Sequence, residues 1–341
     1  MRHKRLRVGV IGVGIMGARH VAIYSQLPQV ELCGIADPNE QRLHDIAAEF
    51  NVPHSYPDYR DLLRNDEIQA VSICTPDHLH RAPAEEAAAA GKDILLEKPI
   101  ATTLEDADAI IEAASRHRVK LMVGFTARFM KPFDLVKEKI DSGAIGEVLC
   151  ARVDWYNRSD SYARTESEKK TYGPKRDSII HFLGSHPIDL LQWYLGDVDR
   201  VYCEADTFTW GRAQGGPFDS ALISLRFRSG AIGHVNTYWS TGGTPFRVRF
   251  EVELLGRTGM IQCHPLDESY KVYSEQKGFE LPVSYDWKTG VGKELGYFVD
   301  CIVHDTVPMI SGQIARKTLE VTLAAERSAR TQESVRLAVQ E

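Results

Sequence analysis

The sequence lacks several features that mark whole classes of protein. It has six cysteines among 341 residues, all scattered singly, so neither a zinc finger nor a disulfide scaffold is indicated. Single thiols of this kind are typical of a reducing compartment, and we expect a cytoplasmic location. No apolar run reaches the roughly 18 residues that a transmembrane helix requires, which argues against a membrane protein.

An excess of positive charge is also missing. The 41 basic and 47 acidic residues give a formal net charge of −6, which argues against a nucleic-acid binder held by overall charge. Ser-His-Asp, paired-carboxylate and H-E-x-x-H patterns are not evident, so hydrolysis and metal catalysis have no motif support and no metal site is predicted. We therefore expect a small-molecule partner.

The start of the chain imitates a signal peptide. A basic segment, Met1–Arg5, precedes the apolar stretch Val8–Ala18. Four glycines interrupt that stretch, and glycine fits a strand running into a turn better than it fits a helix. We therefore expect this segment to belong to the mature fold.

The length predicts two domains, and the patterning changes near Gly124. Before that point short β-branched runs alternate with helical patterns, which indicates a doubly wound α/β domain with a parallel sheet over residues 1–124. Residues 125–341 show strands divided by turn signals at Arg228–Gly230 and Gly256–Gly259, with helical patterns around them. We expect an α+β domain there, with an open, mostly antiparallel sheet arranged as a meander.

The strongest local signal is a glycine-rich turn between the first strand and the first helix. Glycines in G-x-G-x-x-G spacing allow the backbone to approach a pyrophosphate, which then faces the helix N-terminus. The turn comprises Gly12, Val13, Gly14, Ile15, Met16 and Gly17. Asp37 ends the next strand, can accept hydrogen bonds from a ribose and would repel a 2′-phosphate. NAD is therefore favoured as the cofactor, although Arg42 lies close enough to keep NADP open.

Two further strand ends carry candidate residues. Ligands of open α/β sheets bind at the carboxyl ends of the strands, so we expect cofactor contacts there. The residues concerned are Thr75, Pro76, His80, Glu97 and Lys98. Lys98 is a candidate proton carrier, because the pKa of a lysine falls readily on desolvation; the alternative is a surface lysine. A cis Lys98–Pro99 bond is also expected.

The second half of the chain offers candidate substrate residues. His186 starts an amphipathic helix whose dipole disfavours imidazolium, and Asp189 lies one turn later; a simple helix-start pair is the alternative. A sugar platform could form at two strand ends, one with Trp155, Tyr156 and Asn157 and the other with Tyr238 and Trp239, since aromatic faces suit the C–H surface of a pyranose. Of these residues we expect Trp155, Asn157 and Tyr238 to contact substrate. Strand alternation lets only one residue of each adjacent pair face the pocket, and core or interface packing is the alternative for these rings.

Taken in order, these motifs resemble the Gfo/Idh/MocA family, the glucose-fructose oxidoreductase and inositol dehydrogenase group. The resemblance covers the first 190 residues and is carried by Gly12–Gly17, Gly34–Pro38, Thr75–His80, Ala90–Pro99, Gly124–Phe129 and Gly184–Asp189. It implies a Rossmann domain, an open-sheet substrate domain, and NAD(P)-dependent oxidation or reduction of sugars, cyclitols or related polyols. It also implies that Lys98 contacts the reacting hydroxyl, with His186 as companion acid–base, and that Arg128 and Asp189 line the pocket.

The chain departs from this family at one position. The inositol-dehydrogenase branch usually carries Asp four residues before the His, where this chain has Phe182. An NAD-dependent CH–OH oxidoreductase remains the main interpretation. The alternatives are a relative that keeps NAD bound and cycles oxidation, elimination or hydrolysis, and re-reduction, and a non-catalytic nucleotide-binding relative.

One stretch of the second domain has no regular pattern. Ser159–Asp177 is polar and rich in charge, which is typical of a long loop. It is either a solvated excursion or a lid or arm to a neighbouring subunit. We also expect a homodimer or homotetramer built on the second domain's sheet.

Overall fold

The computed structural model describes residues 5–158, 178–208, 217–240, 249–264, 269–274, 279–282 and 287–338. These residues divide into two compact units. The first comprises the described residues up to Thr126 together with Lys288–Arg316, and the second comprises those from Ala127 to Trp287 and from Lys317 onward. The predicted boundary at residue 124 lies close to Thr126.

The first unit is a parallel sheet with helices between its strands, as predicted. Its elements are β1 Leu6–Ile11, α1 Ile15–Tyr24, β2 Val30–Ala36, α2 Glu40–Phe50, β3 His54–Tyr56, α3 Tyr59–Leu63, β4 Ala70–Ile73, α4 Arg81–Ala89, β5 Asp93–Glu97, α5 Leu104–His117 and β6 Leu121–Gly124. Among the described residues the strand order is β3-β2-β1-β4-β5-β6, with every neighbouring pair parallel. This order, reversing beside β1, confirms the doubly wound fold.

Two of these helices begin with a capping side chain. The side chain of Asn39 accepts a hydrogen bond from the amide of Arg42 at the start of α2. Thr103 accepts one from the amide of Asp106 at the start of α5. Each bond satisfies a backbone donor that the first helical turn leaves open.

The second unit is built on a larger, mixed sheet. The remaining elements of the chain are α6 Phe133–Asp141, β7 Val148–Arg158, α7 Ile179–Phe182, α8 Ser185–Leu195, β8 Val198–Asp206, β9 Ser220–Phe227, β10 Ile232–Ser240, β11 Arg249–Gly256, β12 Gly259–His264, β13 Ser269–Ser274, β14 Phe279–Pro282, α9 Trp287–Val303, α10 Gly312–Thr331 and β15 Val335–Arg336. The described strands follow the order β14-β13-β12-β11-β7-β10-β9-β8-β15. Most pairs are antiparallel, as predicted. The centre is not a meander, because β10 pairs in parallel with β7.

Residues 288–316 do not belong to the second domain, where the sequence analysis placed them. The amide of Val123 on β6 donates to the carbonyl of Ile310 at 3.0 Å. Thr126 donates through Oγ1 to Oε2 of Glu294 on α9 at 2.8 Å. These long-range bonds hold the late segment in the first unit, and no local pattern encodes them.

The sheet of the second unit has an inner face and an outer face. The inner face carries Ala151, Val153 and Trp155 of β7, and these residues lie in the hydrophobic core of the unit. The alternate residues of β7, such as Arg152 and Asp154, lie on the outer face. The side chains of residues 150–157 of β7 and 232–239 of β10 can therefore be assigned to one face by their position in the strand.

The Lys98–Pro99 peptide bond is cis, as expected. Within the described ranges, no helix combines the length and apolarity needed to cross a membrane. No cluster of three or more His, Cys, Asp or Glu side chains suited to a metal ion occurs in that part of the chain. The predicted loop Ser159–Asp177 lies outside the described residues.

Candidate functional site

The turn between β1 and α1 has no room for side chains at Gly12 and Gly17. Gly12 has a φ of +82°, and a Cβ there would lie 2.9 Å from the backbone that follows β4. A Cβ at Gly17 would lie 1.8 Å from the carbonyl oxygen of Gly12. Gly14 precedes α1 without a side-chain cap, which leaves the amides of Ile15 and Met16 for a ligand or solvent. The turn therefore fits the pyrophosphate that its sequence predicts.

Asp37, the expected ribose contact, is held against this turn. Its Oδ2 accepts a hydrogen bond from the amide of Val13 at 2.8 Å, and its Oδ1 accepts one from the amide of Asn39 at 2.8 Å. Each carboxylate oxygen keeps a second acceptor site for a hydroxyl. Arg42 donates through Nε to the carbonyl oxygen of Val13. The carboxylate of Asp37 and the guanidinium of Arg42 thus bind the amide and the carbonyl of Val13. The adenosine end of the cofactor is expected at this edge of the sheet.

Thr75 and Pro76 follow β4 at the carboxyl edge of the parallel sheet, as predicted. Oγ1 of Thr75 is buried and has no hydrogen-bond partner among the described residues, so it is a polar atom that a bound ligand can satisfy. His80 is held by backbone carbonyl groups. It is buried, with Nδ1 2.9 Å from the carbonyl oxygen of Pro99 and Nε2 3.0 Å from that of Thr75, and burial lowers its pKa. Its imidazole thus contacts two backbone turns, and its expected contact with the cofactor stays a prediction.

Glu97 and Lys98 lie at the same sheet edge, at the end of β5. Glu97 is buried, and its Oε2 accepts a hydrogen bond from the amide of Lys98 at 3.2 Å. Its Oε1 lies 3.2 Å from Nε2 of His20, a buried residue of α1. Nδ1 of His20 lies 3.4 Å from Sγ of Cys74, a thiol whose pKa burial raises well above its usual value. These contacts connect α1 and the ends of β4 and β5 at the turn that carries the half-buried Lys98.

His20 is a site residue that the sequence analysis missed. It lies on the buried face of α1, together with Val21 and Tyr24. A polar residue on an otherwise apolar helix face needs a partner once it is buried. That mismatch is the signal that could have identified it.

In the second unit, His186 lies in the first turn of α8 with its ring stacked on Trp155. The ring centroids are 5.1 Å apart and the planes differ by 7°. Trp155 is 1% exposed and also contacts Phe133 and Phe250, at centroid distances of 6.1 and 4.1 Å. The expected substrate contact by Trp155 does not fit this enclosed position. Its indole instead orients the imidazole of His186.

Arg128 and Asp189 form a buried ion pair. Nε and Nη2 of Arg128 donate to Oδ2 and Oδ1 of Asp189, each at 2.7 Å, and Asp189 is fully buried. The Arg128 guanidinium also lies over the ring of Trp193, 5.3 Å from its centroid. Because the two charges satisfy each other, their expected contact with substrate does not fit the structure. The pair instead fixes α8, the helix that carries His186.

Asn157 and Tyr238, both expected to contact substrate, lie on opposite faces of the sheet. Asn157 pairs with Trp239, whereas Tyr238 pairs with Tyr156. Asn157 and Trp239 share the inner face with Trp155, and Tyr238 stacks on Tyr156 at the outer face with a centroid distance of 4.1 Å. One pocket cannot therefore use both predicted residues. Trp239, and not the predicted Tyr238, lies beside Asn157 on the inner face.

Two family models match most of the chain. Residues 6–125 match the model described as oxidoreductase family, NAD-binding Rossmann fold. Residues 133–262 match the GFO/IDH/MocA C-terminal domain. The two matches fall on the parallel sheet and on the mixed sheet.

Curated relatives and solved structures align along nearly the whole chain. Myo-inositol 2-dehydrogenase of Thermotoga maritima is 26% identical over 342 residues, which cover 97% of this chain and 98% of that protein. Inositol 2-dehydrogenase 2 of Saccharopolyspora erythraea is 30% identical over 286 residues, which cover 83% of this chain and 80% of that protein. A solved levoglucosan dehydrogenase, in complex with NADH and L-sorbose, has a TM-score of 0.84 at 25% identity and covers 98% of this chain and 100% of its own. With both sheets matched by one family and its relatives named as dehydrogenases, the chain belongs to the GFO/IDH/MocA family of NAD-binding oxidoreductases.

Proposed function

We propose that this protein is an NAD-dependent dehydrogenase that transfers hydride between nicotinamide and a secondary alcohol or ketone of a sugar, sugar derivative or cyclitol. The observation that carries the proposal is the end of β5, where half-buried Lys98 follows buried Glu97 at the sheet edge that also holds the glycine turn and Thr75. The relatives named for inositol and levoglucosan support the substrate class.

Lys98 is assigned the proton transfer. When bound, NAD supplies the hydride acceptor. The amine of Lys98, partly desolvated at the strand end, takes the hydroxyl proton during oxidation and returns it during reduction. Glu97 holds the amide of Lys98 and thereby positions the start of its side chain. His186 of the second unit is assigned the companion acid–base role, with its ring oriented by Trp155.

A panel of inositols, aldoses, anhydro sugars and sugar acids, scanned with NAD for NADH absorbance, tests the proposal. We expect stoichiometric NADH from at least one of them. Product without net NADH would instead support the relative that cycles a bound cofactor. No NADH and no product from any member, with cofactor binding confirmed, would contradict catalysis on these polyols.

We expect NAD to bind more tightly than NADP. The carboxylate of Asp37 disfavours a 2′-phosphate, and Arg42 is engaged with the carbonyl of Val13. A difference of about tenfold corresponds to roughly 1.4 kcal/mol. Fluorescence titration with NAD and with NADP measures this difference in affinity. Asp37→Ser should reduce the difference. Tighter binding of NADP would refute the preference and indicate that Arg42 binds the phosphate.

We further propose a homodimer or homotetramer formed through the outer face of the second unit's sheet. Large apolar side chains on this face are 37 to 52% exposed, and they are Tyr202, Leu222, Ile232, Leu255 and Tyr273. Their area favours burial against a second copy. Light scattering at micromolar concentration should give a mass above that of a monomer, and Ile232→Glu should reduce it. A monomeric wild-type protein would exclude this assembly.

A cytoplasmic location is proposed as well. All six cysteines fall within the described residues, and every one is a free thiol. Unpaired thiols in this number fit a reducing compartment. Cell fractionation with a tagged chain tests the location.

A further inference from the structure

Two aromatic rings face each other in the second unit. Phe182 ends α7, and its ring centroid lies 5.6 Å from that of Trp239 on β10, with the planes inclined by 36°. Both side chains are partly buried and pack against the core. Phe182 and Trp239 together form the aromatic pair.

The strand register places the aromatic pair near His186. Trp155, on which His186 stacks, lies opposite Thr237, and the next inner-face row is Asn157 opposite Trp239. At about 3.3 Å per residue the two rows are about 7 Å apart, a separation that one substituted sugar ring can bridge. The imidazole of His186 and the ring of Phe182, both on helices, therefore lie close to Asn157 and Trp239 at the carboxyl ends of the parallel strands β7 and β10.

This combination suits a ligand with one polar edge and one apolar face. The amide of Asn157 can donate and accept hydrogen bonds, whereas phenyl and indole faces offer a hydroxyl no comparable partner. A hydroxyl pressed against the aromatic pair would lose hydrogen bonds to water without replacement. A methylene, methyl or ether carbon would bury apolar surface at the same place.

We propose that the aromatic pair selects polyols that carry a deoxy or anhydro carbon over fully hydroxylated cyclitols. The inference rests on the proposed dehydrogenase function and specifies its substrate class. A pocket that distinguishes ligands by one apolar group or one hydroxyl typically reaches about 10- to 100-fold in kcat/KM. The preference for deoxy and anhydro sugars should fall in that range.

Four probes with NAD test this selectivity. 6-Deoxy-D-glucose and 1,5-anhydro-D-glucitol each lack one hydroxyl of D-glucose, and myo-inositol carries a hydroxyl on every carbon. We expect the better of the two hydroxyl-deficient probes to exceed both D-glucose and myo-inositol in kcat/KM by at least about tenfold. Equal or better turnover of myo-inositol by the wild-type protein would overturn the inference.

Variants of Phe182 show whether the aromatic pair causes the preference. The selectivity ratio is kcat/KM for the better hydroxyl-deficient probe divided by kcat/KM for myo-inositol. Phe182→Leu keeps an apolar surface and should leave this ratio above one. Phe182→Asp supplies hydrogen-bond acceptors and should lower the ratio about tenfold. Phe208→Asp makes the same exchange at a side chain that is 68% exposed and should leave the ratio unchanged. Circular dichroism establishes that each variant is folded.

The outcomes separate this inference from the function on which it rests. If the probes are turned over and Phe182→Asp does not change the selectivity ratio, the aromatic pair does not cause the preference. The proposed dehydrogenase function then still stands. If Phe182→Asp does not fold, the selectivity ratio of the wild-type protein decides whether the inference holds. Failure of the four probes and of the whole polyol panel overturns both proposals together.

Discussion

Lys98→Met should lower turnover by about 10² to 10⁴, the range that a lost general acid or base produces. Methionine keeps most of the apolar stem and removes the amine that is assigned the proton. The melting temperature should hardly change, because the Lys98 side chain is only half-buried and its position at the end of β5 is held through its backbone by Glu97. Steady-state kinetics with the substrate from the panel measure the turnover, thermal denaturation measures the melting temperature, and NADH titration establishes that the cofactor is bound.

Lys92→Met is the matched control at the other end of β5. Lys92 is buried, and its Nζ donates to the carbonyl oxygens of Asn65 and Ile68 at 3.0 and 2.7 Å. Its loss removes two charge-assisted hydrogen bonds, so this variant should be less stable and still turn over substrate. Near-normal turnover in Lys98→Met, with cofactor bound, would mean that the chemistry lies elsewhere.

The companion role of His186 can be examined with the same assay. His186→Ala should lose less turnover than Lys98→Met if the imidazole only relays the proton. When two groups act as one unit, the double variant loses less than the product of the single losses. A double variant whose loss equals that product would show that the two residues act independently.

Arg128→Met should lower the free energy of unfolding by about 3 to 5 kcal/mol, the effect of leaving a buried charge unpaired. Asp189 is fully buried and receives two hydrogen bonds from Arg128. Urea denaturation measures the change. Removing both charges in Arg128→Met/Asp189→Leu should restore part of the loss, because the uncompensated carboxylate is then gone.

An exposed ion pair of the same unit is the control for Arg128→Met. Lys317 and Asp197 contact each other at 2.8 Å with side chains that are 40% and 49% exposed. Lys317→Met should change stability by about 1 kcal/mol or less, since solvent screens such pairs. A loss in Arg128→Met no larger than this would contradict a structural role for the buried pair.

The loss in Arg128→Met should also depend on pH. Burial raises the pKa of the Asp189 carboxyl in the folded protein, and Arg128 opposes that shift. Without the guanidinium, the pKa of Asp189 in the folded protein rises further above its pKa in the unfolded chain. The variant therefore loses stability as the pH rises from the pKa of the unfolded chain to that of the folded protein. The difference from the wild type should therefore be largest at neutral pH and should shrink as Asp189 becomes protonated in acid.

The sequence by itself determined most of the first unit. The glycine turn, Asp37 and the Glu97–Lys98 pair each lie at the end of a strand, and parallel strands bring their carboxyl ends to one sheet edge. Motifs far apart in sequence are therefore neighbours once the strand order is known. The short strand β3 and helix α3 were not predicted, because three or five residues are too few to show a period.

Only the tertiary structure decided which side chains of the second unit share a surface. Alternation divides each strand into two faces, but the face that meets the core depends on which strand pairs with it and in what register. Trp239 rather than Tyr238 accompanies Asn157 because β10 pairs with β7 in the register that sets Trp239 opposite Asn157. Arg128 and Asp189, which the family resemblance implied to line the pocket, pair with each other because folding brings together residues 61 positions apart. Such long-range pairings arise from the packing of whole elements, which local spacing does not specify.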